Sequence, residues 1–560
     1  MKRFASVWLG GWWLVGCATG AEPERTSEST FGADDLTHRP VSGNITHYDY
    51  AFDLATGHAT AGFAVHAATG GNCFSAGLQL PGVTGATWNG AAASATVASN
   101  AAQICGTTIA SEAPLTITAG VTIPKQTFLN LDIGFSTKRD MSGGNFTYLM
   151  GWVGGCGHLG PCDAAPSRLA SYHFQVTHAP TEVVLCPGAL TPGVGMTQCS
   201  LGMGGGTGAL APTYSAFALA SDPLWQRRPF VTAAGVDVVF YEVPAGRIAS
   251  FLDPASVAGF LTWITGLLGP YPYGTELRYA GAPTRWLGFE HPANIILDQK
   301  LPFSGPYQDS GMHALMHETI HQWAGDRTTI ASVLDFGWKE ATAEYLAYVF
   351  EDEQRPDGEA AVTLQYWSAV SLDAAHFIRP TDQPAPALQD FYLDVYGPGG
   401  MMYVQLESLL GRPAVLAGIQ RFLTDPGARS VDDLRQALEL ASGTNLAPYF
   451  NAWVFGAGKP EVPTFAIATS QVGNQVHVTV TQQNPTNKRY GCKLEIEVRG
   501  ATTSAVALVD FGVAPASATA SATVTLAEPV VDTVFEPRHR AIGRVAGAPA
   551  VRASVTPWPL

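Results

Sequence analysis

A chain of 560 residues has room for several domains and a large core. Only 14% of its residues are charged, against roughly 25% in an average soluble protein, and the net charge is −15. No basic run is present, which argues against a nucleic-acid partner.

The first residues carry Lys2 and Arg3, then an apolar run with Trp8, Trp12 and Trp13 that ends Leu14-Val15-Gly16-Cys17. The run is too short to span a bilayer and reads as an export signal over residues 1–17. Its end resembles the bacterial lipobox, so we expect export from a bacterial cell and a lipid anchor at Cys17. That anchor would be the only membrane attachment, holding the protein in the cell envelope at the outer membrane or cell surface. An ordinary cleavable signal is the alternative. Residues 18–44 are polar and aperiodic, as a flexible tether would be.

Six of the remaining cysteines, Cys73, Cys105, Cys156, Cys162, Cys186 and Cys199, fall in one stretch, and an exported chain is expected to oxidise them. Nearest-neighbour pairing is the simplest of the possible connectivities. A metal site around Cys156-Gly157-His158-Leu159-Gly160-Pro161-Cys162 is the rival reading. Cys492 is left over and expected as a buried free thiol.

Residues 45–247 alternate apolar and polar side chains in short runs, among them residues 48–54, 128–133 and 236–241. An all-β domain stapled by the disulfides is expected there. Gly202-Met203-Gly204-Gly205-Gly206-Thr207-Gly208 reads as a loop without the Lys of a phosphate cradle. Over 248–460 the texture becomes helical. Asp253-Pro254 supplies an N-cap and a first-turn Pro for a helix that stops at Gly269-Pro270. Further helices are expected near 310–325, 338–352, 400–411, 413–424, 430–441 and 446–455, with the Pro-rich 379–386 as loop. Strand patterns return over 461–560, expected as a β-sandwich and tail.

The chemistry centres on His317-Glu318-Thr319-Ile320-His321. Two His at i and i+4 stand one above the other on a helix and can grip one zinc ion. Glu318 points to the same side and can move protons. Apolar neighbours (Leu315, Met316, Ile320, Trp323, Ala324) make the helix a buried one, where His and Glu need partners. Glu340, on the next helix, is placed to be the third ligand, leaving a fourth position for water.

These residues resemble the zinc aminopeptidases of the aminopeptidase N family, whose ligands are spaced His-Glu-x-x-His-(x18)-Glu. His317, Glu318, His321 and Glu340 match that pattern residue for residue. The family's Gly-x-Met-Glu-Asn motif corresponds to Leu287-Gly288-Phe289-Glu290-His291-Pro292. The resemblance implies that Glu290 binds a substrate's free α-amine and that Gly288 lines the same strand. It also implies Tyr396 as the hydroxyl that stabilises the oxyanion, although the Lys of the family's Tyr-x-Lys-Gly is Pro398 here. Asp335 is expected to orient a zinc His. Glu344 is either a supporting acid or a surface carboxylate, and His313 a structural histidine. The family's Asn-Glu-Gly is Lys339-Glu340-Ala341.

The resulting expectation is a multi-domain α+β chain with an N-terminal all-β domain, a thermolysin-like, mainly helical catalytic domain and a C-terminal β-sandwich. It implies one Zn2+ per chain and peptide substrates. A thermolysin-type endopeptidase, or a catalytically silent zinc-containing surface protein, are the alternatives.

Overall fold

The computed structural model describes residues 38–127, 134–202, 210–284, 286–301, 310–354 and 358–547. The expected signal and lipid anchor at Cys17, the strand expected over 128–133 and residues 203–208 lie outside them.

The N-terminal part is all-β. Ten strands form one sheet and five a second, and their facing sides share one core. Gly43–Asp53 is central to the larger sheet, antiparallel to His58–Ala67 and parallel to Ser171–Thr177, with Tyr48 opposite Tyr172 and Tyr50 opposite Phe174. These rings stack at 5.0–6.1 Å and Phe217 of the smaller sheet packs across them, so the alternation read from the sequence becomes an aromatic seam between sheets. The three nearest-neighbour disulfides are formed, Cys73–Cys105, Cys156–Cys162 and Cys186–Cys199, and they consume the thiols that a metal site at Cys156 and Cys162 would need. Cys492 is free and buried.

The tether ends earlier than residue 44. Val41 N–H donates to the Cys73 carbonyl (2.7 Å), and the Arg39 carbonyl accepts from Asn72 and Cys73. Val41 is buried, so this short segment docks as a strand extension because it has an apolar side chain to bury.

A five-stranded sheet underlies the centre: β1 (Gln226–Ala233), β2 (Val236–Glu242), β3 (Glu276–Ala282), β4 (Gly288–Phe289) and β5 (Asn294–Asp298), in the order β1-β2-β3-β5-β4. The sequence places the β1–β2 hairpin in the N-terminal domain, below a boundary at 247/248. Parallel pairing of β2 with β3 puts it instead in the sheet beneath the central helices. A hairpin cannot show from sequence alone which sheet its outer edge joins.

Five helices matter for the site: α1 (Pro254–Leu268), α2 (Ser310–Ile320), α3 (Phe336–Gln354), α4 (Glu359–Ser371) and α5 (Tyr396–Leu410). Asp253 caps α1 by accepting from Ala255 and Ser256 N–H. α4 was not among the expected helices; its start, Gly358, supplies no side-chain cap. α5 begins four residues before the expected 400, at Tyr396. Gly397 and Gly399 precede the expected start and Gly400 falls on it, and each stands where a Cβ would collide: at Gly399 with Ala341 of α3 (2.5 Å), at Gly400 with Trp367 of α4 (2.6 Å). They are helix residues kept small for close packing. Arg379–Pro380, expected as loop, makes a short parallel pairing with Phe455–Gly456. The C-terminal part is a sandwich of a four-stranded and a three-stranded sheet around Val478, Val480, Leu494 and Ile496.

Candidate metal centre

α2 is held from below by the sheet. The Tyr279 hydroxyl of β3 meets Thr319 Oγ1 at 2.6 Å. Gln322 Oε1 accepts from Ala293 N–H (2.8 Å) and the Tyr271 hydroxyl (3.1 Å), while its Nε2 donates to Asp326 and the His291 carbonyl. One glutamine thereby locks the end of the His-bearing helix to the chain that carries Glu290. Leu315, Met316 and Ile320 are fully buried, so the register of α2 leaves little freedom to the two imidazoles.

On this support, His317 Nε2 and His321 Nε2 lie 3.0 Å apart, and Glu340 Oε2 of α3 stands 3.2 and 3.3 Å from them. All three residues are buried. The outer ring nitrogens decide what the inner ones offer. His321 Nδ1 faces the Ala324 carbonyl at 2.9 Å, and His317 Nδ1 lies 3.1 Å from Glu344 Oε1. With the proton on each Nδ1, each Nε2 presents a lone pair. The three ligand-type atoms then face one another, an arrangement that a cation satisfies. For ligand distances of 2.0–2.1 Å, the edge of a tetrahedral zinc site is about 3.3 Å, so this N, N, O triangle fits zinc.

Glu318 stands beside the triangle with Oε2 buried and without a hydrogen-bond partner. Burial, reinforced by the charges of Glu290 and Glu340, pushes its carboxyl up to about 8. A buried acid that titrates near neutrality beside a metal-ligating triangle is suited to exchanging protons. β4 approaches it so closely that a Cβ on Gly288 would lie 2.6 Å from Glu318 Cγ. Glu290, just past β4, can bring an oxygen within 4.8 Å of donor atoms of both Glu318 and His321.

Lys339 was expected only as a departure from a family pattern, and the structure gives it a place. Its ammonium lies 2.7 Å from Glu290 Oε1 and 2.6 Å from Glu340 Oε1, with its side chain 2% exposed. Burial lowers its pKa, but the two carboxylates outweigh that and hold it charged. It binds the Glu340 oxygen that faces away from the histidines and leaves Oε2 free for the metal. Burial raises the Glu290 carboxyl, and Lys339 foremost brings it below the usual range. Gly325, at φ +150, makes room for the lysine stem, since a Cβ there would sit 2.9 Å from Lys339 Cε.

Tyr396, the first residue of α5, stacks its ring on His317 at 6.0 Å. Burial, with Glu340, Glu290 and Glu318 nearby, keeps its hydroxyl far above the ordinary tyrosine range, hence a neutral donor. Glu344 is no surface carboxylate; it lies between His317 and His313. Asp335 corrects an expectation. It touches neither zinc histidine and instead accepts from Arg379 Nε and Val431 N–H (3.1 Å each) and from Ser332. It sits on a 3-10 turn before α3. His313 is structural, as expected: its Nδ1 is 2.9 Å from Glu351. The signal for Glu344 was its i+4 spacing from Glu340; for Lys339 there was none.

Residues 289–453 match the model of the peptidase family M1 domain. Aminopeptidase N of Lactobacillus helveticus is 29% identical over 179 residues, covering 30% of this chain and 20% of that protein. Aminopeptidase N of Lactobacillus delbrueckii subsp. lactis is 28% identical over 215 residues, 35% of this chain and 25% of that one. Aminopeptidase N of Escherichia coli K12 is 29% identical over 184 residues, 30% and 20%. The matched stretch thus spans a fifth to a quarter of these relatives. Aminopeptidase A of Legionella pneumophila, solved with aspartic acid, superposes with a TM-score of 0.71 at 15% identity, over 90% of this chain and 60% of that structure. The shared fold extends through both flanks of the matched stretch, and the middle of this chain is similar to the peptidase family M1 domain.

Proposed function

We propose that the chain is a zinc-dependent metallopeptidase that removes residues from the amino end of peptides. The observation that carries this is the buried triangle of His317 Nε2, His321 Nε2 and Glu340 Oε2 with the unpartnered Oε2 of Glu318 at its side. One zinc ion held there supplies a Lewis acid and lowers the pKa of a water towards about 7. The protein does the rest. Glu318 accepts the proton from the attacking water and returns it to the leaving amine. The neutral Tyr396 hydroxyl donates to the oxyanion as charge develops. Glu290, oriented by Lys339 and still 15% exposed, meets the substrate's α-ammonium and sets the register. Glu344 and the Ala324 carbonyl keep both imidazoles in the metal-binding tautomer.

The test is hydrolysis of one peptide with a free amino terminus and of its N-acetylated twin, with and without a chelator. Chelator-sensitive loss of the first residue from the free form is expected. Cleavage of both forms alike would replace this reading by an endopeptidase, and no cleavage with zinc bound by a silent zinc protein. Export and lipid attachment at Cys17 are proposed on the sequence of residues 1–17; a mature amino terminus without lipid mass at Cys17 would rule the anchor out.

A further inference from the structure

Beside this site lies a wall of aromatic rings gathered from four separate parts of the chain. Trp152 follows a strand of the N-terminal part, Trp286 and Phe289 flank Gly288, Phe336 opens α3, and Tyr392 stands one turn before Tyr396. Trp152 is the hub: its ring is 6.3 Å from Trp286, 6.1 Å from Phe336 and 5.5 Å from Tyr392. Trp286 in turn packs edge-on to Phe289 at 4.7 Å. Phe289 and Phe336 are buried, whereas Trp152, Trp286 and Tyr392 remain partly exposed. Two rings therefore back the wall and three face outwards.

Its position follows from the same contacts. The Phe336 ring lies 5.2 Å from the Lys339 ammonium, which is bonded to Glu290. Trp286 is two residues from Gly288, whose backbone packs closely against Glu318. Tyr392 precedes the tyrosine that stacks on His317. The wall thus adjoins Glu290 on one side and the proposed base on another. A substrate whose α-amine meets Glu290 and whose first carbonyl lies by Glu318 must direct its first side chain close to these rings.

We propose that Trp152, Trp286 and Tyr392 determine specificity and select an aromatic or large aliphatic first residue. The proposal rests on the peptidase reading for the orientation of the substrate. Rigid ring faces gain contact with an apolar side chain at little entropic cost, and offer no counter-charge to an acidic one.

The test compares amino-acid amides of Phe, Leu, Gly, Asp and Lys in two ways. The first is kcat/KM with zinc-loaded wild type, Trp286→Ala and Tyr392→Ser; the second is calorimetric binding of L-phenylalaninamide and aspartic α-amide to zinc-loaded and metal-free protein. Phe and Leu should exceed Gly, Asp and Lys by at least about tenfold, and each substitution should cut the Phe:Gly ratio by about tenfold. Equal or better handling of Asp or Lys overturns the proposal. So does a Phe:Gly ratio unmoved in both variants, or no binding and no cleavage of the Phe ligand. If nothing is hydrolysed with zinc bound, the peptidase reading fails, and the order of calorimetric affinities alone decides the pocket.

Discussion

Replacing Gly288 with Ala puts one methyl group between β4 and the proposed base. The added Cβ would stand 2.6 Å from Glu318 Cγ and 2.7 Å from Cδ and Oε1. Ordinary carbon contacts begin at about 3.5 Å, so the Glu318 side chain must retreat by about 0.9 Å. The atoms that move are the free end of a side chain, and Gly288 does not occupy the left-handed region, so the fold loses little. Catalysis should lose much more, because a displacement of about 1 Å in a reacting group costs about a hundredfold. None of the atoms nearest the added Cβ belongs to His317, His321 or Glu340, so zinc should still bind at one per chain. The assay is kcat/KM on a free peptide, with zinc content and Tm measured on the same preparation. Gly266→Ala is the control: nothing lies within 4 Å of its Cβ, and in the interior of α1 it should raise stability by about 0.5–1 kcal/mol without touching the rate. Retention of kcat/KM within about threefold in Gly288→Ala would refute the placement of Glu318 as the base.

Four further outcomes are expected. Glu318→Gln should keep zinc and lose turnover by about 10²–10⁴-fold; substantial residual activity would remove it from the role of base. Tyr396→Phe should lower kcat by about 10²–10³-fold while KM changes little, and an unchanged kcat would leave the oxyanion to other donors. Glu344→Ala should weaken zinc about 10–100-fold, read by competition with a chromophoric chelator; unchanged affinity would show that His317 needs no partner at Nδ1. Burial, with Asp140 and Glu182 adding to it, pushes the Asp222 carboxyl up to about 7, above its unfolded value near 3.8. The folded state therefore keeps a proton that the unfolded chain releases, and stability falls as pH rises between about 4 and 7. The Tm of metal-free Asp222→Asn relative to wild type should rise across that window and level off above it, whereas a pH-independent difference would contradict the assignment.

The metal ligands were legible because helix geometry translates spacing into a face: i and i+4 fix His317 and His321, and the second helix offers Glu340 within reach. Local pattern also gave the three-part layout and the cap at Asp253. What it could not give was direction across space. Lys339 is next to a ligand in sequence and carries no signal of its own there, yet two carboxylates from different elements meet it in the interior. Asp335 sits close before Glu340, but the turn that carries it aims it at Arg379. Gly397, Gly399 and Gly400 look like chain breakers, and only the presence of Val370, Ala341 and Trp367 explains them as packing residues. The β1–β2 hairpin has the alternation of its neighbours upstream, and its sheet is decided by an edge that forms with residues some forty positions later.

The most direct test of the account is a titration of metal-free protein with zinc, following peptide hydrolysis and bound metal together. Activity should rise in proportion to zinc and saturate at one ion per chain, with Glu318→Gln binding the same ion and staying silent. Hydrolysis that is indifferent to zinc, or one bound zinc with no hydrolysis of any free peptide, would contradict it.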